Sequence, residues 1–599
     1  MKLTDYVVHF LADRGVRHIF GLTGGAVVHL FDSADRSGRL QPIFLHHEQG
    51  AAFAAQAYAR ANGTLGACIV TTGPGVTNAL SGLAAAWLDS VPCIYISGQA
   101  RLTHTLQGKK IRQIGTQHIE VLPLVRSMTK YAVLVEDAES IRYHLEKAFH
   151  LATTGRPGPV WIDLPLDLQW ADIDPQTIRA FVPDLADLPQ HLAPLADLAT
   201  CVEWLERSER PLVLAGYGVS LAKARNEFAE LIERYDLPFV TTWGAVDIIP
   251  STHPNNLGRP GIAGQRGANL AIQNCDLLLA LGSHLCIPVT GTMFKSFARS
   301  ARIVMVDIDP HELAERTIPA HLPIAADVKA FIGQLLSRVP SSSRFCTDSW
   351  RVACRLYRDR YLAPPPAAVD AISPYDFVKR LSDLSADDDV IVVDGGGTNV
   401  YISFQTFAIK GRQRMILSTG LCAMGSGLPE SVGAHYGSGG RRVICLCGDG
   451  SLQLNIQELQ TIRHHQLPIK IFVCDNAGYL SIRGTQKEFL AGNYVGSQAS
   501  GGVSLPDYTK VAAAYGIPAF SINRLENLSN DLSKALALSG PAVCVVRCLP
   551  DQEIIPRQGF DRKSDGSFAP RPLEDMAPFL ARAEFHEAMQ IPPWNPAEL

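Results

Sequence analysis

The sequence carries no strong excess of charge of either sign. Among its 599 residues, 54 are Lys or Arg and 58 are Asp or Glu, which leaves a formal net charge of -4. Proteins that bind nucleic acid or another polyanion through electrostatic attraction usually have a clear basic excess. The charge balance therefore argues against a nucleic-acid partner.

Long apolar runs and paired cysteines are also missing. No segment is apolar for long enough to span a membrane, and the first residues, MKLTDYVVHFLADRG, have the pattern of an amphipathic helix without the apolar core of a signal peptide. The 13 cysteines include no Cys-x-x-Cys pair, and many, such as Cys68, Cys93 and Cys474, lie inside apolar runs. Buried thiols in a reducing compartment fit this pattern best. We therefore expect a soluble, cytoplasmic protein with no membrane partner.

What is present is a sustained alternation of strand and helix signals. With 599 residues, of which 47% are hydrophobic, the chain is long enough for about three to four domains. Short apolar runs such as HIF, PIFL, ACIVT and CIYIS alternate with helical stretches, which is the pattern of a parallel sheet with helices on both faces. The predicted fold class is α/β, with three doubly wound parallel-sheet domains at 1–170, 196–345 and 370–550, linkers at 171–195 and 346–369, and a tail at 551–599.

One strand–helix–strand segment places two polar residues at the same sheet edge. The runs RVICLC and IKIFVC are predicted strands, and the helix between them makes this a βαβ unit with parallel strands. Asp449 and Asn476 follow the two strands, at the edge where open α/β sheets bind ligands.

The residue types at this edge favour a diphosphate held through a metal ion. Gly448 and Gly450 allow close backbone approach, and Ser451 starts a helix whose free N–H groups favour an anion. Asp449 and Asn476 are oxygen ligands of the kind that Mg²⁺ prefers. By itself Gly-Asp-Gly is more often a simple tight turn, but the spacing to Asn476 in a βαβ unit favours the binding site.

These motifs resemble those of the thiamine diphosphate-dependent acetohydroxyacid synthase and pyruvate decarboxylase superfamily. The stretch 448–451 followed by Asn476 is similar to its cofactor motif, and the three α/β blocks match its pyrimidine-binding, central and diphosphate-binding domains. The resemblance implies Mg²⁺ bound by Asp449, Asn476 and the backbone carbonyl of Gly478, with Tyr479 and Leu480 beside the cofactor.

The resemblance also assigns a residue to the reacting end of the cofactor. Glu48 follows the predicted strand PIFL and begins an Ala-rich helix, so from the sequence it is either a helix-start charge or a functional acid. The setting His47-Glu48-Gln49 fits the family's essential glutamate, which binds the aminopyrimidine ring and favours its imino tautomer. Gln117 matches a family glutamine near the reacting centre, and His118 replaces a frequent glutamate, which could change how an acceptor is protonated.

Further loops are implied to hold the cofactor or the substrate. Backbone groups of Cys422 and Met424 would hold the pyrimidine, with the Met424 side chain bending the cofactor, although Met424 could also be core filler. The Gly-rich loops at 21–25 and 72–75 either line the substrate side or are tight turns. A loop on the diphosphate is implied for Gly397, Thr398 and Asn399; the family usually has Gln-His in place of the last two, so an acid-base role of that His is not carried over.

The predicted reaction is the thiamine diphosphate- and Mg²⁺-dependent decarboxylation of a 2-oxo acid such as pyruvate, with transfer of the acyl carbanion equivalent to a carbonyl acceptor to form an acyloin. The segment 476–483 has no Trp where acetohydroxyacid synthases have the residue that selects their acceptor, and it is more similar to enzymes that transfer acetyl units to ketones or ketosugars. Alternatives are a diketone hydrolase that cleaves a C–C bond, a simple 2-oxo acid decarboxylase, and an inactive regulatory homologue. The intact Glu48, Asp449 and Asn476 argue against the last.

Two further expectations concern flavin and assembly. The charged run that accompanies FAD in acetohydroxyacid synthases is replaced here by Ser-His-Leu-Cys-Ile-Pro at 283–288, whereas 264–269 resembles their pyrophosphate loop and Asp307 follows a strand where an acid could reach a ribose. FAD is therefore possible, and its role would be structural. Because the family joins the equivalents of Glu48 and Asp449 across two subunits, we expect a homodimer or homotetramer.

Overall fold

The computed structural model describes residues 1–184, 191–361 and 371–595, and within them it leaves the side chain of Thr398 undescribed. These residues contain three larger sheets with parallel strands and two small antiparallel strand pairs. The predicted α/β class with three parallel-sheet domains is confirmed. The polyproline segment expected as a linker at 362–366 lies outside the described residues, as does part of the linker predicted at 171–195.

The first part of the chain alternates helices and strands as the sequence predicts. In chain order these are α1 (Leu3–Asp13), β1 (His18–Gly21), α2 (Val28–Ser37), β2 (Gln41–Phe44), α3 (Glu48–Asn62), β3 (Gly66–Val70), α4 (Pro74–Leu88), β4 (Cys93–Gln99), α5 (Leu122–Val125), β5 (Tyr131–Leu134), α6 (Ile141–Thr153), β6 (Val160–Pro165) and α7 (Leu166–Gln169). The strand order is β2-β1-β3-β4-β6-β5, with parallel pairing throughout. Strands β3, β4 and β6 are buried along their whole length, which explains their continuous apolar sequence.

The central part forms a second parallel sheet. Its elements are α8 (Leu195–Arg207), β7 (Pro211–Ala215), α9 (Gly218–Leu221), α10 (Arg225–Tyr235), β8 (Phe239–Thr241), α11 (Arg266–Asn274), β9 (Leu277–Leu281), α12 (Ile287–Thr290), β10 (Arg302–Asp307), α13 (Pro310–Ala314), β11 (Leu322–Ala325), α14 (Val328–Arg338) and α15 (Asp348–Tyr361). The strand order is β11-β10-β9-β7-β8.

Helix α15 corrects part of the predicted linker at 346–369. Trp350, Cys354 and Tyr357 recur at helical spacing, are buried, and pack in one apolar cluster with residues of α11. The nearby polyproline run indicated an extended linker, but the apolar face of this preceding segment stabilises a helix instead.

The third part carries the predicted βαβ unit. Its elements are α16 (Pro374–Leu384), β12 (Val390–Val393), α17 (Gly397–Thr406), β13 (Arg414–Ile416), α18 (Gly427–Gly437), β14 (Val443–Gly448), α19 (Asp449–Leu452), α20 (Glu458–His464), β15 (Ile469–Asp475), α21 (Leu480–Phe489), α22 (Tyr508–Ala514), β16 (Ala519–Ile522), α23 (Leu528–Ala537) and β17 (Ala542–Arg547). The strand order is β13-β12-β14-β15-β17-β16, again parallel. The single helix expected between β14 and β15 is divided by a 3-10 turn at Gln453–Asn455.

The predicted tail forms small elements of its own. They are β18 (Arg557–Gln558), β19 (Phe560–Arg562), β20 (Phe568–Pro570), β21 (Met576–Ala577) and α24 (Arg582–Ala588). Leu573 and Met576 are buried, and the hydroxyl of Tyr357 in α15 donates to the carbonyl of Ala588 at 2.6 Å. The tail therefore packs on the central part of the chain.

The described residues divide into two compact units. One contains those among Met1–Leu188, Asp388–Asn399 and Arg414–Pro550, and the other those among Pro189–Asp387, Val400–Gln413 and Asp551–Leu599. In the first unit, strands of the first and third sheets share one apolar core, to which α3 contributes Tyr58 and α18 contributes Val432. The domain boundaries drawn from the sequence stay predictions, but the first and third blocks pack as one body.

Among the described residues, no helix combines the length and the apolar character that crossing a membrane would require.

Candidate active site

The carboxylate of Asp449 lies at the carboxyl edge of the third sheet, beside the loop that follows the neighbouring strand. Strands β14 and β15 are parallel, so both lead out of the sheet at this edge. Asp449 Oδ2 accepts the backbone N–H groups of Asn476 at 3.1 Å and Gly478 at 2.9 Å, and its Oδ1 accepts the N–H of Gly450 at 2.7 Å. The two loops therefore meet at the Asp449 carboxylate.

Two features of this edge suit a hard cation. Asp449 is 2% exposed, and burial raises the pKa of its carboxyl to about 6 despite the backbone N–H donors. The amide oxygen of Asn476 is buried and has no hydrogen-bond donor among the described residues. Because a buried carboxylate and an unsatisfied amide oxygen are both ligands that Mg²⁺ prefers, these residues fit this ion.

Both backbone groups of Gly478, the predicted third ligand, form hydrogen bonds. Its N–H donates to Asp449, and its carbonyl accepts the N–H of Leu480 at 3.1 Å. A carbonyl oxygen has a second lone pair, so ligation of a cation by Gly478 stays a prediction. No group of three or more His, Cys, Asp or Glu side chains suited to a metal occurs at 1–184, 191–361 or 371–595, so a site here would depend on amide and carbonyl oxygens beside one carboxylate.

Tyr479 covers the Gly450 turn. A Cβ atom on Gly450 would overlap the ring of Tyr479, so the close approach requires glycine at this position. Leu480 begins helix α21 and is 7% exposed. These three predicted cofactor residues therefore pack together next to Asp449.

The loop after β12 reaches the same turn. A Cβ atom on Gly396 would lie 2.8 Å from Ser451 Oγ, and one on Gly448 would lie 3.3 Å from Asn399 Nδ2. Asn399 is 7% exposed, and Gly397 begins helix α17 between these contacts. Loops that follow three parallel strands, β12, β14 and β15, thus converge around Asp449.

Asp394 holds the segment that leads into α18. Its Oδ1 accepts the N–H of Gly425 at 3.1 Å and its Oδ2 accepts the N–H of Gly427 at 2.8 Å, and burial raises its pKa to about 6. Cys422 has a left-handed backbone with φ of 52°, and its Sγ lies 3.6 Å from a carbonyl of the loop after β12. Met424, which lies between these contacts, is half-buried. A contact of Met424 with the cofactor stays a prediction.

Glu48 is a buried acid at the first position of α3. The His47 side chain caps the helix, since its Nδ1 accepts the N–H of Gln49 at 3.1 Å. Glu48 is 7% exposed, its Oε2 accepts Asn78 Nδ2 at 3.0 Å, and its Oε1 would lie 3.6 Å from a Cβ atom on Gly75. The carboxylate is thus held by an amide in a tight apolar setting, unlike an ordinary solvated charge at a helix start.

Asn455 connects the Glu48 helix with the Met424 loop. Its Nδ2 donates to Gln49 Oε1 at 3.1 Å and to the carbonyl of Gly425 at 2.8 Å. Gln49 follows Glu48 in sequence, and Gly425 follows Met424. Within one chain, the two segments predicted to face the pyrimidine are therefore fixed relative to each other.

Gln117 lies against the Thr72–Gly75 loop. Its backbone carbonyl accepts the Thr72 hydroxyl at 3.3 Å, a Cβ atom on Gly73 would overlap that carbonyl, and the Gln117 side chain is exposed. The Thr72 hydroxyl also contacts Gln99 Oε1 at 3.1 Å. His118 is 2% exposed, and its Nδ1 has no hydrogen-bond partner in the described part of the chain. The loop thus supports the Gln117 backbone, while Gln117 and Asp449 belong to different sheets.

Two residues that hold the loop of Asn476 and the Asp449 turn were missed from the sequence. Arg483 is 5% exposed, and its guanidinium donates to the carbonyls of Asn476 at 2.8 Å and Ala477 at 3.1 Å. The hydroxyl of Tyr508 donates to the carbonyl of Asp449. Neither residue belongs to a recognisable sequence motif. Both donate to backbone carbonyls, and such contacts cannot be predicted from the sequence.

The segment resembling a flavin pyrophosphate loop is occupied by protein contacts. The Arg266 guanidinium donates to the carbonyls of Met576 at 3.1 Å and Pro578 at 2.6 Å, and Asn269 Nδ2 donates to the carbonyl of Gly261 at 2.9 Å. The side chains of Arg266 and Asn269 are therefore engaged by the chain itself, and flavin binding at 264–269 stays a prediction that would depend on backbone groups.

Comparison with known protein families gives three matches along the chain. Residues 1–120 match the N-terminal TPP binding domain of thiamine pyrophosphate enzymes, residues 198–335 match the central domain, and residues 394–546 match the C-terminal TPP binding domain. The matches follow the order of the three sheets.

Known proteins are similar in sequence to this chain over most of its length. The acetolactate synthase isozyme 2 large subunit of Escherichia coli (strain K12) is 33% identical over 544 residues, which cover 90% of this chain and 94% of that protein. The acetolactate synthase large subunit of Porphyra purpurea is 32% identical over 543 residues, covering 88% and 89%. The probable acetolactate synthase large subunit of Methanocaldococcus jannaschii is 33% identical over 554 residues, covering 90% and 91%.

Proposed function

We propose that this chain, which belongs to the thiamine pyrophosphate enzyme family, decarboxylates a 2-oxo acid, most simply pyruvate, and transfers the acyl group to a carbonyl acceptor. The products are CO₂ and an acyloin or an acetolactate-like compound. Three of its relatives are named acetolactate synthases, and this similarity supports the acyl-transferring chemistry.

The observation that carries the proposal is the convergence of three loops on a buried acid. Asp449 accepts N–H groups from the loop of Asn476, whose amide oxygen is buried without a donor among the described residues. This edge supplies oxygen ligands for Mg²⁺, and the helix starts and glycines around it supply N–H groups for a diphosphate. When bound there, thiamine diphosphate supplies the electron sink that loss of CO₂ requires.

Each residue has a role in the proposal that follows from its position. Asp449 and Asn476 hold Mg²⁺, and the Gly-rich turns around them approach the diphosphate. Glu48, buried and fixed by Asn78, holds and moves a proton at the pyrimidine ring. Met424, half-buried at the end of its loop, supports the bent cofactor.

The assembly that we propose joins two subunits. In the described chain the Glu48 carboxylate accepts a hydrogen bond from Asn78 of helix α4, in the first part of the chain, whereas Asp449 follows β14 in the third part. We propose a homodimer, or a homotetramer of two dimers, in which Glu48 of one subunit serves the metal site of another. Glu48→Gln and Asp449→Ala proteins, each inactive alone, should then regain part of the activity after subunit exchange. A fully active monomer at all concentrations would contradict this arrangement.

The proposed reaction involves no net oxidation or reduction. A flavin, if the protein contains one, would therefore have a structural role only. The cysteines of the described residues are free thiols, most of them buried, which supports a reducing compartment such as the cytoplasm.

The proposal is tested by incubating the protein with thiamine diphosphate, Mg²⁺, pyruvate and a panel of ketones, ketosugars and 2-oxo acids. We expect CO₂ release together with a coupled product for at least one acceptor, and no reaction with Glu48→Gln. Aldehyde alone would indicate a simple decarboxylase, and cleavage of a cyclic diketone without CO₂ release would indicate a hydrolase; either result would replace the acyl-transfer proposal.

A further inference from the structure

Helices α3 and α18 pack closely, and their contact contains a buried polar pair. A Cβ atom on Gly433 of α18 would overlap the carbonyl of Ala54 in α3, so the two backbones approach at a glycine. Beside this contact, Gln56 Nε2 of α3 donates to Glu430 Oε1 of α18 at 2.6 Å, and both side chains are 0% exposed. Because both side chains are fully buried, each polar atom that lacks a hydrogen-bond partner lowers the stability of the folded protein.

The other oxygen of each partner has no donor. Gln56 Oε1 and Glu430 Oε2 are buried and unpartnered among the described residues. If Glu430 were ionised, the pair would hold two acceptor oxygens, and the neighbouring Ser426 hydroxyl, with its single proton, could donate to only one of them. A proton on Glu430 supplies the missing donor, because a carboxylic acid and a primary amide can each donate once and accept once.

The charges around Glu430 also favour its neutral form. Arg60, the nearby cation on α3, is bonded through Nη1 to Asp89 Oδ2 at 2.9 Å, and both side chains are almost fully buried. A third buried charge on Glu430 would therefore have no counter-ion of its own. Burial is the largest cause and raises the pKa of Glu430 well above its usual value; Arg60 is the next largest and lowers it, Asp394 and Asp89 raise it, and the Ser426 hydroxyl lowers it.

We propose that Glu430 is protonated in the folded protein and forms with Gln56 a ring of two hydrogen bonds, which sets the register of α3 against α18. Glu430 is then a positioning residue for Glu48, and this consequence rests on the proposed function of Glu48. The protonation state and the paired hydrogen bonds do not depend on it.

The register matters because Glu48 is the first residue of α3. The alignment of α3 on α18 therefore fixes where the subunit holds this carboxylate and how it presents the carboxylate to the cofactor of a neighbouring subunit. The rest of the α3 face consists largely of Ala side chains, which make no directional bonds. A directional polar pair specifies one alignment, as buried polar residues do between other packed helices.

The test compares variants that keep or break the ring. Glu430→Gln gives an amide–amide pair with two hydrogen bonds and no proton to lose. The double variant Gln56→Glu with Glu430→Gln, called the exchanged pair, again has one acid and one amide, but the acid is now on α3 and the amide on α18. Glu430→Ala and Gln56→Leu break the ring. A misplaced catalytic group commonly costs up to about a hundredfold in rate, so we expect roughly tenfold to hundredfold slower exchange of the cofactor C2 proton in the last two variants.

The first readout is independent of activity. Infrared difference spectra of the protein at neutral pH, with and without Glu430→Gln, should show the C=O stretching band of a protonated carboxyl that the variant lacks and the exchanged pair regains. Absence of that band in the unmodified protein would overturn the proposal, whatever reaction the protein catalyses.

The second readout is the rate of C2 proton exchange and its pH profile. Glu430→Gln and the exchanged pair should stay within about threefold of the unmodified protein, as expected when a hydrogen-bonded alignment is kept. At alkaline pH the unmodified protein should slow as Glu430 ionises, whereas Glu430→Gln should not. Equal losses in Glu430→Gln and Glu430→Ala, or no loss in Glu430→Ala, would overturn the positioning role. If no C2 exchange occurs in any form, the function proposed for Glu48 fails and the infrared result still decides the protonation of Glu430.

Discussion

Asp449 Oδ2 accepts the backbone N–H of Asn476 at 3.1 Å, so the acid and the amide that follow two neighbouring parallel strands are fixed to each other by a direct hydrogen bond. The Asn476 side-chain oxygen is buried beside this bond without a donor among the described residues. The pair is thus held in place by hydrogen bonds of the chain itself.

Replacing Asp449 should abolish cofactor binding. Without its carboxylate, Mg²⁺ would lose its proposed acidic ligand, and we expect Asp449→Ala to weaken thiamine diphosphate binding by at least about a hundredfold, roughly 2.7 kcal/mol. Isothermal titration calorimetry at fixed Mg²⁺ measures this. Asp507→Asn removes an exposed charge at the N-cap of helix α22 but keeps a residue that caps the helix, so it should bind normally. Unchanged affinity in Asp449→Ala would contradict the metal site.

The metal site should depend on pH in a defined direction. The pKa of Asp449 is raised by burial to about 6 in the metal-free protein, above its ordinary value of about 3.9, so the folded protein holds an extra proton between these values. Mg²⁺ must displace that proton. Affinity for Mg²⁺ should therefore rise about tenfold per pH unit below pH 6 and level off above it.

The raised pKa values also affect the stability of the metal-free protein, which falls as the pH rises, whereas the affinity for Mg²⁺ increases. Because the folded pKa values of Asp449 and Asp394 are both raised to about 6, their contribution to stability is greatest below pH 4 and is lost as the pH rises to about 6. Added Mg²⁺ should restore the thermal midpoint most strongly above pH 6. A metal affinity that does not change between pH 5 and pH 7 would exclude Asp449 as a ligand.

Glu48→Gln should separate folding from catalysis. The amide is nearly the same size and can still contact Asn78, so we expect normal folding and diphosphate binding, but C2 proton exchange slower by about two to four orders of magnitude. Proton–deuterium exchange followed by NMR measures this rate. Glu136→Gln, an exposed carboxylate of the same domain, is the matched control and should exchange at the normal rate.

Gly450→Ala tests the contact with Tyr479. The added methyl group would overlap the Tyr479 ring, so the turn must open next to Asp449, and we expect thiamine diphosphate affinity to fall by about tenfold or more. Gly484→Ala is the control, because a Cβ atom there meets nothing within 4 Å and the position is inside helix α21. It should bind normally and stabilise the protein by about 0.5–1 kcal/mol. Equal affinity of the two variants would show that the Tyr479 contact is irrelevant to the site.

The flavin question has a spectroscopic answer. The side chains of 264–269 are engaged by the tail and by neighbouring loops, so we expect the purified protein to show no flavin band at about 450 nm and no stimulation by added FAD. A stoichiometric flavin band would show that backbone groups alone hold the cofactor. Even then, activity should not require reduction of the flavin.

The sequence by itself determined the α/β class, the three sheets and the strand-end position of the candidate site. These follow from local rules: apolar runs of strand length alternate with helical periods, and Asp449 and Asn476 each come directly after such a run. Parallel pairing then brings them to one edge without any further information. Helix α15 lies within the segment predicted as linker, and its burial depends on packing against α11.

Only the tertiary structure decided which distant groups support that site. Arg483 and Tyr508 hold it through backbone carbonyls, and Asn455 joins the Glu48 helix to the Met424 loop. Such contacts depend on how helices and loops pack in space, so no local sequence period encodes them. The pairing of Gln56 with Glu430 is of the same kind, because a glutamine and a glutamate on separate helices carry no sequence mark of burial until α3 and α18 come together.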